Sequence, residues 1–246
     1  MKIDLNADLG EGMNDQAILP FVTSANIACA MHAGDPEAMD RTVKLALDRG
    51  VQVGAHPGYA DRQNFGRTHV QIRLEAVENL VLYQVGALDG FVRSHRGTLV
   101  HVKPHGALYN QAAEDLELAR AIARGVRRFR PDLILVGLAG SKMIEAAKES
   151  GLPFASEAFA DRRYRSDGKL VSRARPGAVL GTPEEAAAQA LQIVKEGTAI
   201  SEDGSRIPIS ADTLCLHGDT PGAEAIAFAI YRRLTSEGVR IAPLGG

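Results

Sequence analysis

Short apolar segments alternate with longer amphipathic segments along the whole chain, a pattern typical of alternating β-strands and α-helices. Seven apolar segments have the length of buried strands: 2–7, 25–31, 50–56, 98–102, 132–140, 152–159 and 212–218. Six segments have the helical spacing of apolar residues: 36–50, 73–94, 115–129, 141–150, 182–197 and 222–238. Asp35 and Thr182, each followed by proline, are predicted N-caps, and Gly50 and Gly151 stand just beyond predicted helix ends.

The predicted strands are nearly continuously apolar, which indicates a parallel sheet covered by helices. Seven strands with helices between them favour a closed or nearly closed β/α barrel, and an open doubly wound sheet is the alternative. No Pro/Ser-rich linker and no run of like charges divides the sequence, so residues 1–246 are predicted to form one domain. Asp203-Gly204 predicts a small hairpin before the last core strand.

The composition argues against several classes of protein. The formal net charge is -2, with acidic and basic residues mixed along the chain, so nothing suggests a nucleic-acid or anionic-membrane partner. Cys29 and Cys215 are too few for a disulfide framework and are predicted to be buried free thiols. The first residues do not form a secretory signal, and no apolar run approaches the ~20 residues that span a bilayer. We therefore expect a cytoplasmic protein.

Polar and ionisable side chains follow almost every predicted strand. They are Asn6, Asp8 and Glu11; His32 and Asp35; His56, Tyr59 and Asp61; Lys103 and His105; Glu157 and Asp161; and His217 and Asp219. In parallel α/β folds the carboxyl ends of the strands lie on one side, where binding and catalytic groups gather. One strand-end histidine is more often a simple hydrogen-bonding residue, but several together would cost desolvation energy without any gain in packing. The pattern predicts a convergent polar site.

Several details of that site stay open at the level of sequence. His101 precedes Lys103 by two residues in strand alternation, so it is expected to face the same interior. Histidines and carboxylates from separate strands suit zinc or another divalent ion, although no HExxH or CxxC motif is present. The turn "GLAGSK" at 137–142 lacks the spacing of a phosphate loop, and a strand–helix turn capped by Ser141 is the favoured interpretation.

Arginines are concentrated after the sixth predicted strand. Arg162, Arg173 and Arg175 are expected near the barrel mouth, where a guanidinium could bind a carboxylate or phosphate in bidentate fashion. Arg173 and Arg175 are favoured for this role because they interrupt an otherwise apolar run, "LVSRARPGAVL". A solvent-exposed loop is the alternative interpretation.

Seven blocks, in order along nearly the whole chain, resemble the LamB/YcsF family, the family of the A component of bacterial ATP-dependent 5-oxoprolinase. The blocks are "DLNADLGEG", "ANIACAMHAGDP", "GAHPGYADRQNFGR", "VKPHGALYN", "EAFADRRY", "LVSRARPGAV" and "LCLHGDTPGA". The departures are mild: Ala30 and Met31 replace a usual Gly-Phe, Gly58 and Ala60 stand where Ser and Pro are common, and Thr68 replaces an arginine. None of these changes removes an ionisable group from the predicted site.

The resemblance implies a β/α barrel related to that of polysaccharide deacetylases, with fewer than eight strand–helix units. It implies hydrolysis of 5-oxo-L-proline to L-glutamate with cleavage of ATP, carried out together with subunits B and C. A five-membered lactam is an unreactive amide, and phosphorylation of its oxygen would make the ring carbon electrophilic. Such a site needs a base for water, cations for phosphate and a group that holds the substrate carboxylate.

Roles can be assigned on that basis. Asp8, His56, Lys103 and His105 are the predicted catalytic residues: His56 or His105 acts with Asp8 as the base, and Lys103 supplies positive charge. The predicted substrate-binding residues are Asn6, Glu11, His32, Tyr59, Arg173, Arg175, His217 and Asp219. Asp8, His56 and His105 are the candidate ligands of a divalent metal, whether Zn or Mn in the barrel, and Mg is expected with ATP.

Two other functions are compatible with the sequence. One is a metal-dependent deacetylase or sugar hydrolase that acts alone, and the other is a non-catalytic regulatory subunit.

For the stretch "HVKPHGALYN", a purely structural role and a functional role make different predictions. Lys103 and His105 are expected to line the cavity, and Lys103 is expected to reach across the mouth toward an anion. Substitution of either is expected to lower turnover with little effect on folding.

Overall fold

The computed structural model describes residues 1–173, 175–218 and 222–245, and of His217 the backbone only. The strands are β1 Lys2–Leu9, β2 Ser24–Ala28, β3 Gln52–His56, β4 Leu99–Val102, β5 Ile134–Leu138, β6 Phe154–Phe159, β7 Thr198–Ile200, β8 Arg206–Pro208, β9 Thr213–His217 and β10 Arg240–Ile241. The helices are α1 Asp15–Ile18, α2 Pro36–Asp48, α3 Leu74–Ser94, α4 Gly106–Glu114, α5 Leu116–Phe129, α6 Lys142–Ser150, α7 Pro183–Glu196 and α8 Ala223–Ser236. Short 3-10 turns lie at Leu19–Phe21 and Arg62–Asn64.

Seven parallel strands form a closed barrel. Their order is β1-β2-β3-β4-β5-β6-β9, and β9 pairs back onto β1. This confirms the predicted closed β/α barrel over the open doubly wound alternative. The carboxyl ends of all seven strands therefore lie around one mouth, and the helices cover the outside.

The barrel interior is polar, whereas the surface beneath the helices is apolar. In β1 the side chains alternate: Ile3, Leu5, Ala7 and Leu9 belong to the hydrophobic core, and Asp4, Asn6 and Asp8 fall between them. Inside the barrel, Asn6 donates hydrogen bonds to Glu157 Oε1 at 3.0 Å and Thr213 Oγ1 at 2.6 Å. A buried polar group is tolerated only when it is hydrogen-bonded, so this network ties β1 to its neighbour β9 and to β6, the strand beyond β9.

Local sequence signals account for most of the elements. Asp35 and Thr182 accept hydrogen bonds from the helix backbone as predicted. Gly151 takes the left-handed conformation that ends α6. The predicted hairpin is present as the antiparallel pair β7–β8. Ser141 lies at the N-cap position of α6 as predicted, but its side chain makes no cap hydrogen bond.

Three elements lie outside the predicted set: α1, α4 and the two-residue β10. Helix α1 and strand β10 are short, and α4 begins inside the polar stretch that follows β4. Within the described residues, no helix has the length and apolar character needed to cross a membrane.

Candidate active site

A cavity of about 750 Å³ opens at the carboxyl ends of the barrel strands. Its lining includes Asp8, Glu11, His56, Lys103 and His105, which come from the ends of β1, β3 and β4. The prediction that Lys103 and His105 line the cavity is therefore confirmed. Strand ends that lie far apart in sequence form one polar surface because the barrel closes.

Lys103 lies between two carboxylates. Its Nζ is 2.9 Å from Asp8 Oδ1 and 2.8 Å from Glu157 Oε1, and it donates to Asn6 Oδ1 at 3.2 Å. Burial disfavours the ammonium ion, but the charges of Asp8 and Glu157 outweigh burial and raise the pKa of Lys103 well above its usual value. Lys103 is thus a buried cation with two counter-ions. The expectation that it reaches across the mouth toward an anion is wrong, since its charge is already paired inside the barrel.

The imidazoles of His56 and His105 each direct one ring nitrogen toward the other. His56 Nδ1 is 2.6 Å from the carbonyl oxygen of Lys103, and His105 Nε2 is 2.9 Å from that of Phe65. A carbonyl accepts only, so each of these nitrogens carries a proton. In the neutral rings the lone pairs are then on His56 Nε2 and His105 Nδ1, which are 2.9 Å apart. Two lone pairs at this distance repel, so the arrangement is suited to hold a proton or a cation between them.

Carboxylates flank this pair of nitrogens. Asp8 Oδ2 is 3.3 Å from His56 Nε2, and Glu11 Oε1 is 3.2 Å from His105 Nδ1. Burial disfavours the charged form of both His56 and Glu11. For His56 the charge and hydrogen bond of Asp8 outweigh burial and raise the pKa. For Glu11 the interactions with His105 and His32 outweigh burial and lower the pKa, and the hydrogen bond from His105 requires a proton on its Nδ1.

His32 packs against one site residue and hydrogen-bonds to another. Its ring stacks on that of His105, with centroids 3.7 Å apart and planes 3° from parallel, and its Nε2 is 2.9 Å from Glu11 Oε1. Burial lowers the pKa of His32 to about 4, so it is neutral near pH 7. In its neutral form His32 donates to Glu11 and orients that carboxylate.

Glycines make room for the imidazoles. A Cβ at Gly54 would lie 2.0 Å from the ring of His101, and one at Gly58 would lie 2.7 Å from the ring of His32. A Cβ at Gly66, whose φ is +64°, would lie 2.8 Å from His32 Cβ. These positions show why glycine recurs beside the histidines in the sequence: the rings pack directly against backbone.

His101 faces the interior, as its strand position predicted. It is fully buried, and its Nε2 is 2.7 Å from Asn26 Oδ1. Asn26 in turn donates to Asn6 Oδ1 at 2.7 Å and to Asp8 Oδ1 at 2.9 Å. Burial lowers the pKa of His101 to about 3, so it serves as a neutral hydrogen-bonding link rather than as an acid or base.

The donor set fits a divalent cation. One ligand atom from each of Glu11, His32, His56 and His105 lies within 4.8 Å of the other three. Two imidazole nitrogens with available lone pairs and an adjacent carboxylate are ligands that zinc and similar ions prefer. This group contains His56 and His105, as predicted, but has Glu11 and His32 where the sequence had suggested Asp8. The Asp8 carboxylate is instead bonded to Lys103 and Asn26.

Other predicted site residues lie away from the cavity surface. Tyr59 is buried, and Asn6 and His32 lie behind the groups that line the cavity. Asp35 caps α2, and Asp61 accepts hydrogen bonds from Asn64 and Thr68. Tyr59, Asn6 and His32 are not among the described residues that line the cavity, and their role in substrate binding stays a prediction. The side chain of His217, as well as Asp219, lies outside the described residues.

Part of the cavity wall, called here the arginine wall, is cationic. Arg162, Arg173 and Arg175 all line the cavity, as do Arg67 and Arg165. Among the described lining residues there are seven cationic side chains and three carboxylates. The interior polar network and the arginine wall thus divide the cavity into two electrostatically different parts.

Two contributors were missed from the sequence. Tyr109 lines the cavity from the first turn of α4 and donates from its hydroxyl to Glu157 Oε2 at 2.7 Å. Burial and the Glu157 charge raise the pKa of Tyr109 well above its usual value, so it remains a donor. Asn26 was overlooked inside an apolar strand. An isolated asparagine in a buried strand is a signal that could have identified it.

Comparisons with known proteins agree with this geometry. Residues 3–246 match the LamB/YcsF family along their whole length. The chain belongs to the LamB/YcsF family. A relative from Methylococcus capsulatus, named as the A component of 5-oxoprolinase, is 54% identical over 99% of this chain and 96% of its own. One of the same name from Pyrococcus furiosus is 48% identical over 100% of this chain and 98% of its own.

Solved structures extend the comparison to the fold. The lactam utilization protein from Thermus thermophilus superposes with a TM-score of 0.93 at 45% identity, covering 98% of this chain and 99% of its own. A family 4 carbohydrate esterase from Streptomyces lividans has a TM-score of 0.51 at 11% identity, covering 99% of this chain and 93% of its own. The second likeness shows the fold alone. The LamB/YcsF barrel thus has the same overall fold as this esterase.

The LamB/YcsF barrel therefore presents a defined set of chemical groups. His56 Nε2 and His105 Nδ1 lie at the cavity surface with Asp8 and Glu11 beside them, and Asp8 favours the protonated form of His56. Lys103 and Asn26 fix the orientation of Asp8. The arrangement is suited to general acid–base chemistry on a ligand that also carries negative charge.

Proposed function

We propose that this chain is the A component of an ATP-dependent 5-oxoprolinase, which opens the lactam of 5-oxo-L-proline to give L-glutamate together with subunits B and C. The facing nitrogens of His56 and His105, at one side of a cavity with a cationic wall, carry the proposal. Support comes from the full-length similarity to relatives named as the A component of 5-oxoprolinase. ATP is the proposed cosubstrate of the assembled enzyme, and no ATP site is assigned to this chain.

The residues would act as follows. One imidazole nitrogen of the His56–His105 pair takes a proton from the attacking water, and the flanking carboxylate of Asp8 or Glu11 stabilises the imidazolium. The same proton is then available to the ring nitrogen of the substrate as it leaves. Lys103 holds Asp8 in place. The arginine wall binds negative charge on the substrate.

When a divalent ion occupies the site, Glu11 and the same nitrogens of His56 and His105 would hold it in place of the proton, and the ion would supply Lewis acidity toward the lactam oxygen or a bound water. His32 would support that set through its hydrogen bond to Glu11. The three ligand side chains come from the ends of different strands, so the closed barrel holds them in place before any ion binds.

The test is ATP hydrolysis that depends on 5-oxo-L-proline, measured with this chain and subunits B and C, and then with each omitted in turn. We expect turnover only with the complete set. Robust ATP-coupled lactam opening by this chain alone would refute the division of labour. Full activity without this chain would refute the proposed function.

One observation favours a second candidate. The cluster of Glu11, His32, His56 and His105 within a deacetylase-like barrel also suits a metal-dependent hydrolase that acts alone. Measurement of bound metal, and of deacetylase turnover by the isolated chain, separates the two functions. Stoichiometric metal with deacetylase turnover, and no lactam opening in the complex, would favour the second candidate. A purely regulatory subunit would instead tolerate His56→Ala without loss of complex activity.

A further inference from the structure

Arg162 differs from the other cationic residues of the arginine wall in being buried. It lines the cavity with only 5% of its surface exposed. Its Nη2 donates to the carbonyl of Val171 at 2.5 Å and its Nε to that of Ala178 at 3.4 Å. Among the residues that the structure describes, no carboxylate forms an ion pair with it. Asp161, its neighbour in sequence, acts on it only as a longer-range charge.

A buried cation without a counter-ion is costly. A guanidinium has five N–H donors, and the two backbone carbonyls use two of them. Burial and the neighbouring charge of Arg173 lower the pKa of Arg162 to about 10, so the group is still cationic at neutral pH. Buried charges are normally paired. Three unused donors on a buried cation at a cavity wall are what a site for an anion requires.

The position of Arg162 is fixed in advance. Its backbone pairs with Val179, and its carbonyl accepts a hydrogen bond from Gln189 Nε2 at 2.8 Å. The Leu180 amide donates to the carbonyl of the adjacent Asp161 at 2.8 Å. A guanidinium held on both its backbone and its side chain loses little conformational entropy when a ligand binds.

Arg175 does not share these properties. Its side chain is 62% exposed, and its Nη1 is 3.0 Å from Glu202 Oε2. A solvated arginine with its own counter-ion contributes little to binding a further anion. Among the three arginines singled out in this segment, Arg162 is therefore better suited than Arg175 to anchor a ligand.

We propose that Arg162 anchors an oxyanion subsite on the β6 side of the cavity, and that this subsite binds the carboxylate of a small cyclic-amide substrate. The amide of that substrate then extends toward His56 and His105. The choice of substrate class rests on the proposed function. A phosphoryl group shares the oxyanion chemistry, so the test separates the two sources.

The experiment compares Arg162→Gln with Arg163→Gln in the complete enzyme. Arg163 is a matched control, because it is the next residue and its Nε also donates to a backbone carbonyl, that of Gly177, at 2.9 Å. Unlike Arg162, it is exposed and is not among the cavity-lining residues. We expect R162Q to raise the KM for 5-oxo-L-proline about 30-fold or more, with a smaller change in kcat. R163Q should stay within about twofold of the unmodified protein.

Three ligands identify the group that Arg162 binds. The unmodified enzyme should prefer 5-oxo-L-proline to 2-pyrrolidinone, the same lactam without a carboxylate, and R162Q should lose that preference. The proposal is overturned if R162Q keeps the normal KM and the normal preference. It is also overturned if Arg162 affects only inhibition by inorganic phosphate, because the subsite would then serve a phosphoryl group.

Two further measurements apply if R162Q does not fold or if the complete enzyme does not open the lactam. Should R162Q fail to fold, Arg162→Lys keeps the charge but loses the planar fork, and we expect a rise in KM of about tenfold. Should the complete enzyme show no lactam opening, the proposed function has failed, and calorimetric titration of the isolated chain with 5-oxo-L-proline and with inorganic phosphate tests the subsite by itself. Binding of 5-oxo-L-proline that is lost in R162Q supports the subsite, whereas no such binding, or binding of inorganic phosphate alone, overturns it.

Discussion

Lys103→Met removes the cation from between two buried carboxylates. Met keeps most of the side-chain volume, so the main change is electrostatic. The Nζ atom lies 2.9 Å from Asp8 Oδ1 and 2.8 Å from Glu157 Oε1, and the side-chain exposures of the three residues are 3%, 9% and 0%. Breaking a buried pair by removing one partner costs about 3–5 kcal/mol, because it leaves a buried charge uncompensated.

We therefore expect K103M to lower the free energy of unfolding by about 3 kcal/mol or more at pH 7.5, a large part of the roughly 5–15 kcal/mol of a typical domain. The expectation from sequence that this substitution leaves folding nearly unaffected does not fit the structure. The pKa of Lys103 is raised in the folded state, so its contribution to stability is fully present at neutral pH and is lost only as the pH rises through that raised pKa.

The assay is urea unfolding followed by circular dichroism at pH 7.5. Lys169→Met is the control, since Lys169 also lines the cavity but is 37% exposed, with Glu114 3.3 Å away. Its loss should cost at most about 1 kcal/mol. Equal stability of K103M and K169M at pH 7.5 would refute the electrostatic reasoning.

Three further predictions concern single residues. His105→Ala should lower turnover of the reconstituted enzyme by about a hundredfold or more, as expected for a general acid–base group, and near-normal turnover would place the chemistry elsewhere. Gly54→Ala should destabilise the fold by about 2 kcal/mol or more in urea unfolding, because its Cβ would lie 2.0 Å from a buried imidazole. The control is Gly90→Ala in α3, whose Cβ would have nothing within 4 Å; it should be neutral or stabilising by up to about 1 kcal/mol. Thr182→Ala should lower the free energy of unfolding by about 1 kcal/mol through loss of the N-cap bond at 3.2 Å, and Ser141→Ala, which removes no such bond, should change it by less than about 0.5 kcal/mol; equal effects would contradict the capping assignment.

The catalytic and substrate-binding roles of individual residues stay predictions until such variants are measured. The single-domain organisation of residues 1–246 and the cytoplasmic location also stay predictions. The barrel and the family are confirmed.

The order of strands and helices could be predicted from the sequence because it depends on local periodicity and on caps within a few residues. Parallel strands must end on one side, so the polar residues that follow β1, β3 and β4 could be predicted to converge as well. Helix α4 was missed, because it begins at Gly106 with a φ of +55°, directly after the strand-end motif.

The partners of the charged groups were decided only by the tertiary structure. Asn6 and Glu157 are 151 residues apart in sequence, and the closed barrel brings them within 3.0 Å. The same closure turned Lys103 from an expected ligand for anions into a buried counter-ion. It likewise left Arg162 buried and without an ion pair among the described residues, while Arg175 stayed in solvent. Residue type and spacing predict which end of a strand carries chemistry, but desolvation and pairing depend on distances across the barrel, and those distances exist only once the chain has folded.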